Sequence, residues 1–115
     1  MPSTIGFSFG DLVLVPFPFT DQSAVKRRPA VVISAQRYNG ERTDLIIMAV
    51  TSQTRATGSF GEVQVIDWKE AGLLKPSAVK PVVTTIENRL VLRRLGRLKD
   101  SDQASLRRVL ATILG

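Results

Sequence analysis

Three consecutive cations, Lys26, Arg27 and Arg28, stand directly before Pro29 and the apolar run "AVVIS". A proline restricts the residue before it to extended backbone, so Arg28 should hold a defined direction where a strand begins. The guanidinium group offers a planar fork of N–H donors that matches two phosphate oxygens. The stretch therefore predicts an anion-binding position at the rim of a sheet, and the simpler alternative is a solvated turn.

A hydroxyl partner for this cation is predicted by strand register. The stretch "YNGE" separates the apolar runs 29–34 and 43–50, and Asn-Gly is typical of a two-residue hairpin turn. A turn centred between Asn39 and Gly40 places Arg28 directly opposite Thr51, with Cβ atoms about 4.5–5.5 Å apart. A slipped register, or a longer loop between the two strands, would separate the pair.

Two missing residue types limit the chemistry that is available. The 115 residues contain no cysteine and no histidine, which excludes disulfides, a thiol nucleophile, zinc fingers and a histidine general base. Of the ten acidic residues, only Asp100 and Asp102 stand two positions apart, and no metal and no other cofactor is predicted. Any catalysis must use Arg, Lys, Ser, Thr, Tyr and isolated carboxylates.

The charge balance favours a polyanionic partner. Sixteen Lys and Arg stand against ten Asp and Glu, a net charge of +6, which suits nucleic acid or an acidic protein segment. Solubility alone is the other explanation. The longest apolar runs, 12–17 and 45–50, have six residues each and are too short to span a membrane. Residues 1–11 lack the pattern of a signal peptide, so the expected location is the cytoplasm, without membrane contact.

The elements that must position these residues are mostly extended. Val- and Leu-rich or alternating segments predict strands within a single domain over residues 1–115, namely 11–17, 29–34, 43–50, 61–67, 77–86 and 89–95. Pro16 and Pro18 indicate that one edge of the first strand ends there, and Pro81 indicates an edge or a bulge. The predicted fold is mainly β, with strands wrapped into a barrel.

Two helices are predicted in addition. The stretch 67–72 carries Asp67 three residues before Glu70 and ends in Gly72, which is typical of a short capped helix. The C-terminal segment predicts a longer helix with Asp100 and Gln103 as its cap. Its apolar stripe should pack on the sheet and consists of Leu106, Val109, Leu110, Ile113 and Leu114.

Five segments, in this order along the chain, together resemble the MazF/PemK toxins of bacterial toxin–antitoxin modules. They are "GDLVLVPFPFT" (10–20), "KRRPAVVIS" (26–34), "IIMAVTSQ" (46–53), "GLLKPSAVK" (72–80) and "LGRL" (95–98). The resemblance implies an SH3-like barrel of antiparallel strands with added helices, and a homodimer. It also implies a metal-independent endoribonuclease acting on single-stranded RNA or mRNA, inhibited by a cognate antitoxin with an acidic tail.

The resemblance assigns the functional pair to Arg28 and Thr51, the two residues that the hairpin register also brings together. It places the family's basic strand residue at Lys80. Val82 stands where some relatives carry a carboxylate, and Ser23 where others carry histidine or glutamate. The general base therefore stays open between a water molecule, Lys80 and a carboxylate such as Asp21.

The remaining candidates are expected to bind RNA rather than to react. The RNA-binding set predicted beside the catalytic pair is Lys26, Arg27, Phe17, Thr20, Ser52, Gln53 and Lys80. Lys26 and Arg27 would contact the phosphate backbone, and Gln53 would read a base edge or hold its loop. Phe17 and Phe60 would stack on bases or belong to the core. Arg93, Arg94 and Arg97 would serve the dimer, the antitoxin or a solvated face.

The reaction expected of such a site is attack by the RNA's own 2′-OH on the adjacent phosphorus. The products are a 2′,3′-cyclic phosphate and a 5′-OH end, and the attack is intramolecular, so the substrate itself provides proximity. Two other functions stay open at this point: a gyrase-binding toxin of the same fold, and a non-catalytic nucleic-acid-binding module.

Overall fold

In the computed structural model, which describes residues 6–17, 26–52 and 59–115 and only the backbone of Phe17, six strands form one antiparallel sheet. The strands are β1 (Asp11–Phe17), β2 (Lys26–Val32), β3 (Asp44–Thr51), β4 (Val63–Val65), β5 (Ser77–Glu87) and β6 (Arg93–Arg97). Their spatial order is β4-β5-β3-β2-β1-β6. The helices are α1 (Gln36–Glu41), α2 (Trp68–Ala71) and α3 (Asp100–Leu114). The predicted fold class, mainly β with a C-terminal helix, is confirmed.

The sheet curls and buries apolar side chains on both faces. Leu12, Val31 and Met48 belong to one buried cluster, which α2 and α3 cover, whereas Val13, Ala30 and Ile47 belong to a second. Successive residues of a strand point to opposite faces, so near-continuous Val, Ile and Leu are needed where both faces are covered. This explains why β2 and β3 do not alternate between apolar and polar residues.

The predicted Asn-Gly hairpin turn is wrong, because residues 36–41 form α1. Asn39 is buried in this helix, and its Nδ2 donates to the carbonyl oxygens of Phe7 at 2.8 Å and Ser34 at 3.1 Å. The Ser34 hydroxyl donates in turn to the Asn39 side-chain oxygen. Partners as distant in sequence as Phe7 thus use the amide that a hairpin turn would have exposed.

The register predicted for β2 and β3 is nevertheless confirmed. Ala30 pairs with Ala49, Val31 with Met48 and Val32 with Ile47, all in the alignment that the hairpin assumed. The segment 33–46 between the last paired residues is centred between Asn39 and Gly40 like the predicted turn, although α1 itself is not, so the apolar faces of the strands stay matched.

Pro16 and Pro81 have the predicted effects on the sheet, and Pro18 lies outside the described residues. β1 pairs with β6 only from Asp11 to Leu14, so that edge ends before Pro16, while the opposite edge continues along β2 to Phe17. On β5 the register with β3 shifts between Val83 and Val79, and the shift encloses Pro81. β6 begins later than predicted, because residues 88–90 form a 3₁₀ turn.

The predicted helix caps are wrong in detail. Neither α2 nor α3 has a side-chain cap at its N-terminus, and Lys99, not Asp100, precedes the first turn of α3. Gln103 instead donates to the Leu98 carbonyl at 2.8 Å. The buried Asp102 accepts from the backbone N–H groups of Ile66 and Asp67 at 3.1 and 2.9 Å. The acidic residue thus ties α3 to the chain before α2.

Gly72 ends α2 in the left-handed conformation with φ of 100°, as predicted. The apolar stripe of α3 packs on the sheet through Leu106, Val109, Leu110 and Ile113. Leu114, the last predicted member, is 68% exposed. Within the described ranges, the helices are all too short or too polar to cross a membrane.

Candidate active site

A cavity of about 660 Å³ opens where the ends of β2 and β3 meet the segment after α2 and the start of β6. Its apolar floor includes Leu14, Val50, Leu73 and Leu95, and three hydroxyl groups belong to Thr51, Ser52 and Ser77. Five basic residues share the lining, namely Lys26, Arg27, Arg28, Lys75 and Arg93. No carboxylate lies among the described lining residues. A cavity lined by charge of one sign attracts anions.

Arg28 and Thr51 both line this cavity. Arg28 pairs with Val15 of β1, and Thr51 pairs with Ala78 of β5, so each backbone is held by a neighbouring strand. The pairing between β2 and β3 extends as far as Ala30 and Ala49. The last pair is therefore two residues short of Arg28 on one strand and of Thr51 on the other. The Nε atom of Arg28 is buried. The guanidinium therefore lies partly within the protein, where electrostatic interactions are stronger than in water.

The predicted RNA-binding residues divide into three groups. Lys26, Arg27 and Ser52 line the cavity with the central pair. Phe17 ends β1 opposite Lys26, and the position of its side chain lies outside the described structure. Thr20 and Gln53 lie outside the described residues, as do Asp21 and Ser23.

Lys80 does not line the cavity. Its Nζ donates to Glu62 Oε2 at 2.6 Å. This hydrogen bond lowers the pKa of Glu62, with a further contribution from the Ser59 backbone N–H. The ammonium group that the sequence offered as a base candidate thus has a carboxylate partner at the β4–β5 side of the sheet.

The three arginines of β6 have different surroundings. Arg94 and Arg97 donate to the two oxygens of Asp11 at 2.6 and 2.7 Å. Asp11 is buried and also accepts from the backbone N–H of Ser8 at 2.8 Å. Arg93 instead lines the cavity. The alternatives considered from the sequence did not include this position.

Lys75 and Ser77 are further lining residues that sequence reasoning missed. Both belong to the segment "GLLKPSAVK" that carried the family resemblance, and Lys75 precedes a proline as Arg28 does. A basic residue directly before a proline was therefore the sequence signal that could have identified Lys75. Phe60, considered as a stacking or core residue, is 81% exposed and does not line the cavity.

The lining residues define what the site can do chemically. They supply charged and neutral hydrogen-bond donors to a phosphate but no described carboxylate to accept a proton. Among the described residues, no three acidic side chains gather as a metal site would require. The arrangement is suited to binding an anion and to stabilising negative charge that develops on it.

Comparison with known families places these observations in context. A family model described as "PemK-like, MazF-like toxin of type II toxin-antitoxin system" matches residues 8–114, which confirms the resemblance found in the sequence. A comparison with curated protein sequences gives no match.

Solved structures share the fold over nearly the whole chain. MazF from Deinococcus radiodurans (form I) is 26% identical with a TM-score of 0.75, over 97% of this chain and 99% of that one. Toxin MazF-mt6 of Mycobacterium tuberculosis is 21% identical with a TM-score of 0.74, over 90% and 95% of the two chains. A mycobacterial endoribonuclease in complex with its cognate antitoxin is 16% identical with a TM-score of 0.77, over 94% of each chain.

Proposed function

The chain belongs to the PemK/MazF-like toxin family of type II toxin–antitoxin systems, and on that premise we propose that it is an endoribonuclease acting on single-stranded RNA. The observation that carries the proposal is the cavity that Arg28 and Thr51 line together with four further basic residues and no described carboxylate. Such a lining is suited to a phosphodiester backbone, because phosphate contacts supply most of the sequence-independent affinity for nucleic acids.

The proposed reaction begins with a phosphodiester seated against Arg28. The 2′-oxygen forms a bond to phosphorus, the bond from phosphorus to the 5′-oxygen breaks, and a 2′,3′-cyclic phosphate and a 5′-OH are left. The 2′-OH gives up one proton, and the departing 5′-oxygen takes one up. By holding the 2′-oxygen in line with the phosphorus, the cavity lowers the barrier to reaction, and this effect is large for an intramolecular attack.

Arg28 and Thr51 are proposed to stabilise the phosphorane. The guanidinium donates to two non-bridging oxygens and stays protonated, so it acts as an electrophile and not as the base. The Thr51 hydroxyl donates one further hydrogen bond. Donors arranged in advance of the reaction stabilise developing charge without having to reorganise. In this proposal water entering the cavity accepts the proton of the 2′-OH, and water also donates the proton that the departing 5′-oxygen takes up.

The proposed partners follow from the same charge. The net charge of +6 and the basic cavity would accept the acidic tail of a cognate antitoxin as well as RNA. One structural neighbour is a complex of an endoribonuclease with its cognate antitoxin, which supports this assignment. We also propose that the chain forms a homodimer, as its family resemblance implies.

The test is incubation of the purified chain with unstructured RNA in excess chelator, followed by sequencing of the fragment ends. The proposal expects fragments with 5′-OH and 2′,3′-cyclic phosphate ends. It also expects Arg28→Ala to be inactive and Arg89→Ala to be active, because Arg89 lies outside the cavity in an exposed pair with Glu87. Intact RNA with arrested DNA supercoiling would instead indicate a gyrase-binding toxin. RNA binding without either effect would indicate a non-catalytic module.

A further inference from the structure

We propose that Lys75 and Arg93 form a second phosphate subsite in the cavity, which binds the backbone of a nucleotide flanking the bond at Arg28. The inference rests on the proposed function, because it extends the same RNA path within the cavity. Of the basic lining residues, Lys26, Arg27 and Arg28 belong to β2, whereas Lys75 lies in the segment after α2 and Arg93 on β6.

A bulge on β6 separates Arg93 from its two neighbouring arginines. Leu12 pairs with Gly96 and Val13 pairs with Arg94, so Leu95 is an extra residue on β6. The bulge brings Arg94 and Arg97 to the same face although they are three positions apart, since their partners Val13 and Asp11 are two apart. Both arginines reach Asp11.

Arg93 lies on the opposite face of β6 from Arg94. It pairs with Leu14, which lines the cavity together with Leu95. In the described ranges of the chain, Arg93 and Lys75 make no ion pair, whereas the same ranges give Arg94 and Arg97 a buried carboxylate. Two positive charges that line the same partly enclosed cavity repel each other, and a bound anion offsets the free-energy cost of this repulsion.

Two glycines allow the chain that leads from α2 to Lys75 to pack closely against β6. A Cβ on Gly72 would lie 2.2 Å from the Leu95 carbonyl oxygen, and one on Gly96 would lie 1.9 Å from the Ala71 carbonyl oxygen. The backbones therefore approach as closely as only glycine permits. Lys75 lies three residues after Gly72. The Lys75 carbonyl accepts a hydrogen bond from the Ser77 hydroxyl at 2.8 Å. Pro76 in turn restricts the backbone of Lys75 to an extended conformation.

The combined lining has more positive charge than a single phosphate requires. The Arg28 fork matches two oxygens of one phosphate. Lys75 and Arg93 are then available for a neighbouring phosphate of the same strand. A single-stranded backbone with several phosphates uses both groups of cations, and each neutralised phosphate adds to the salt dependence of binding.

The test compares Lys75→Gln, Arg93→Gln and the double variant with Lys99→Gln and Arg89→Gln, two exposed cations outside the cavity. The probe is a fluorescent single-stranded 2′-deoxy oligonucleotide of mixed sequence, which lacks the nucleophile and is not consumed. Affinity is measured from 50 to 400 mM salt. We expect each subsite variant to bind roughly tenfold more weakly at low salt. Its salt slope, log Kd against log salt, should fall by about 0.7 for each phosphate that the variant no longer neutralises.

On cleavable RNA, the same variants should raise KM and retain kcat, since neither residue is proposed to touch the reacting phosphorus. Arg93→Lys should restore the salt slope, because it keeps the charge. Thermal unfolding confirms that each variant is folded. Slopes and KM equal to those of the unaltered chain, or an equal loss in the two controls, would overturn the subsite. If Lys75 and Arg93 contribute to binding but the chain does not cut RNA, the proposed subsite is supported and the proposed ribonuclease activity is refuted.

Discussion

At the scale of single residues, the site depends on how Arg28 and Thr51 are held. Pro29 restricts the backbone of Arg28, and β1 pairs with it on one side. Thr51 ends β3 and is paired to β5. Strand pairing thus fixes the backbones of both residues, and both line the cavity. In the proposed function, donors placed on such fixed backbones stabilise the transition state more than the ground state.

Conservative substitutions should therefore reduce turnover. Arg28→Lys keeps the charge but loses the fork, and Thr51→Val keeps the shape but loses the hydroxyl, so each should lower kcat by about 10²–10³-fold. Thr51→Ser should keep most activity, and Arg89→Lys serves as the control outside the cavity. Single-turnover cleavage measures the effect. Wild-type kcat in Thr51→Val would show that the hydroxyl takes no part.

Sequence reasoning located part of this site and not the rest, for local physical reasons. Arg28 is marked by the proline after it, and Thr51 follows from the strand register. Arg93 could not be distinguished from Arg94 and Arg97, because the bulge at Leu95 decides which arginines reach Asp11. That bulge leaves no pattern in the order of residue types.

The pair of Lys80 and Glu62 predicts a pH dependence of stability. The hydrogen bond from Lys80 lowers the pKa of Glu62 in the folded chain. The carboxylate therefore stabilises the fold above its ordinary pKa of about 4.3, and this contribution is lost as pH falls through the lowered folded value. Glu62→Gln should be less stable than the unaltered chain at pH 7, with the difference shrinking below about pH 4.

Urea unfolding at a series of pH values measures this difference. Lys80→Gln serves as the matched variant, because it removes the donor that causes the shift and should flatten the same part of the profile. A stability difference between Glu62→Gln and the unaltered chain that stays constant from pH 7 to pH 3 would contradict the assignment.

At the scale of elements, the strands were predictable and their connections were not. Val-, Ile- and Leu-rich runs predicted β1, β2, β3 and β5, because buried strands need such side chains. Helix α1 was missed because Asn39 is held by Phe7 and Ser34, contacts that a local reading of Asn-Gly does not include. The predicted cap of α3 was wrong because Lys99, not Asp100, precedes the first turn and Gln103 donates to the Leu98 carbonyl.

The close approach of α2 and β6 predicts unequal effects of three glycine substitutions. Gly72→Ala and Gly96→Ala place a methyl group within 2.2 and 1.9 Å of a carbonyl oxygen, and each should lower the free energy of unfolding by about 1–3 kcal/mol or more. Gly40→Ala meets no atom within 4 Å and lies in α1, so it should raise stability by about 0.5–1 kcal/mol. Urea unfolding checks all three, and equal effects at Gly40 and Gly96 would contradict the packing.

At the scale of the whole molecule, five of the sixteen basic residues line one cavity. Several basic residues elsewhere have carboxylate partners, in the pairs Arg37–Glu41, Arg42–Asp44, Lys80–Glu62, Arg89–Glu87 and Arg94–Asp11. The cavity lining has five cations and no described carboxylate. Composition predicted a polyanionic partner, and the basic cavity is the location that we propose for it. The acidic antitoxin and the homodimer stay predictions.

The most direct measurement is cleavage of two RNA oligonucleotides that differ only at the nucleotide 5′ to the mapped scissile bond. One carries the normal 2′-OH there, and the other carries 2′-deoxyribose, with chelator present throughout. If the cavity aligns the 2′-oxygen on the phosphorus at Arg28, the first is cut to a 2′,3′-cyclic phosphate and a 5′-OH. The second then stays intact while binding with similar affinity. Equal cleavage of both would contradict the proposed attack and the roles of Arg28 and Thr51 in it.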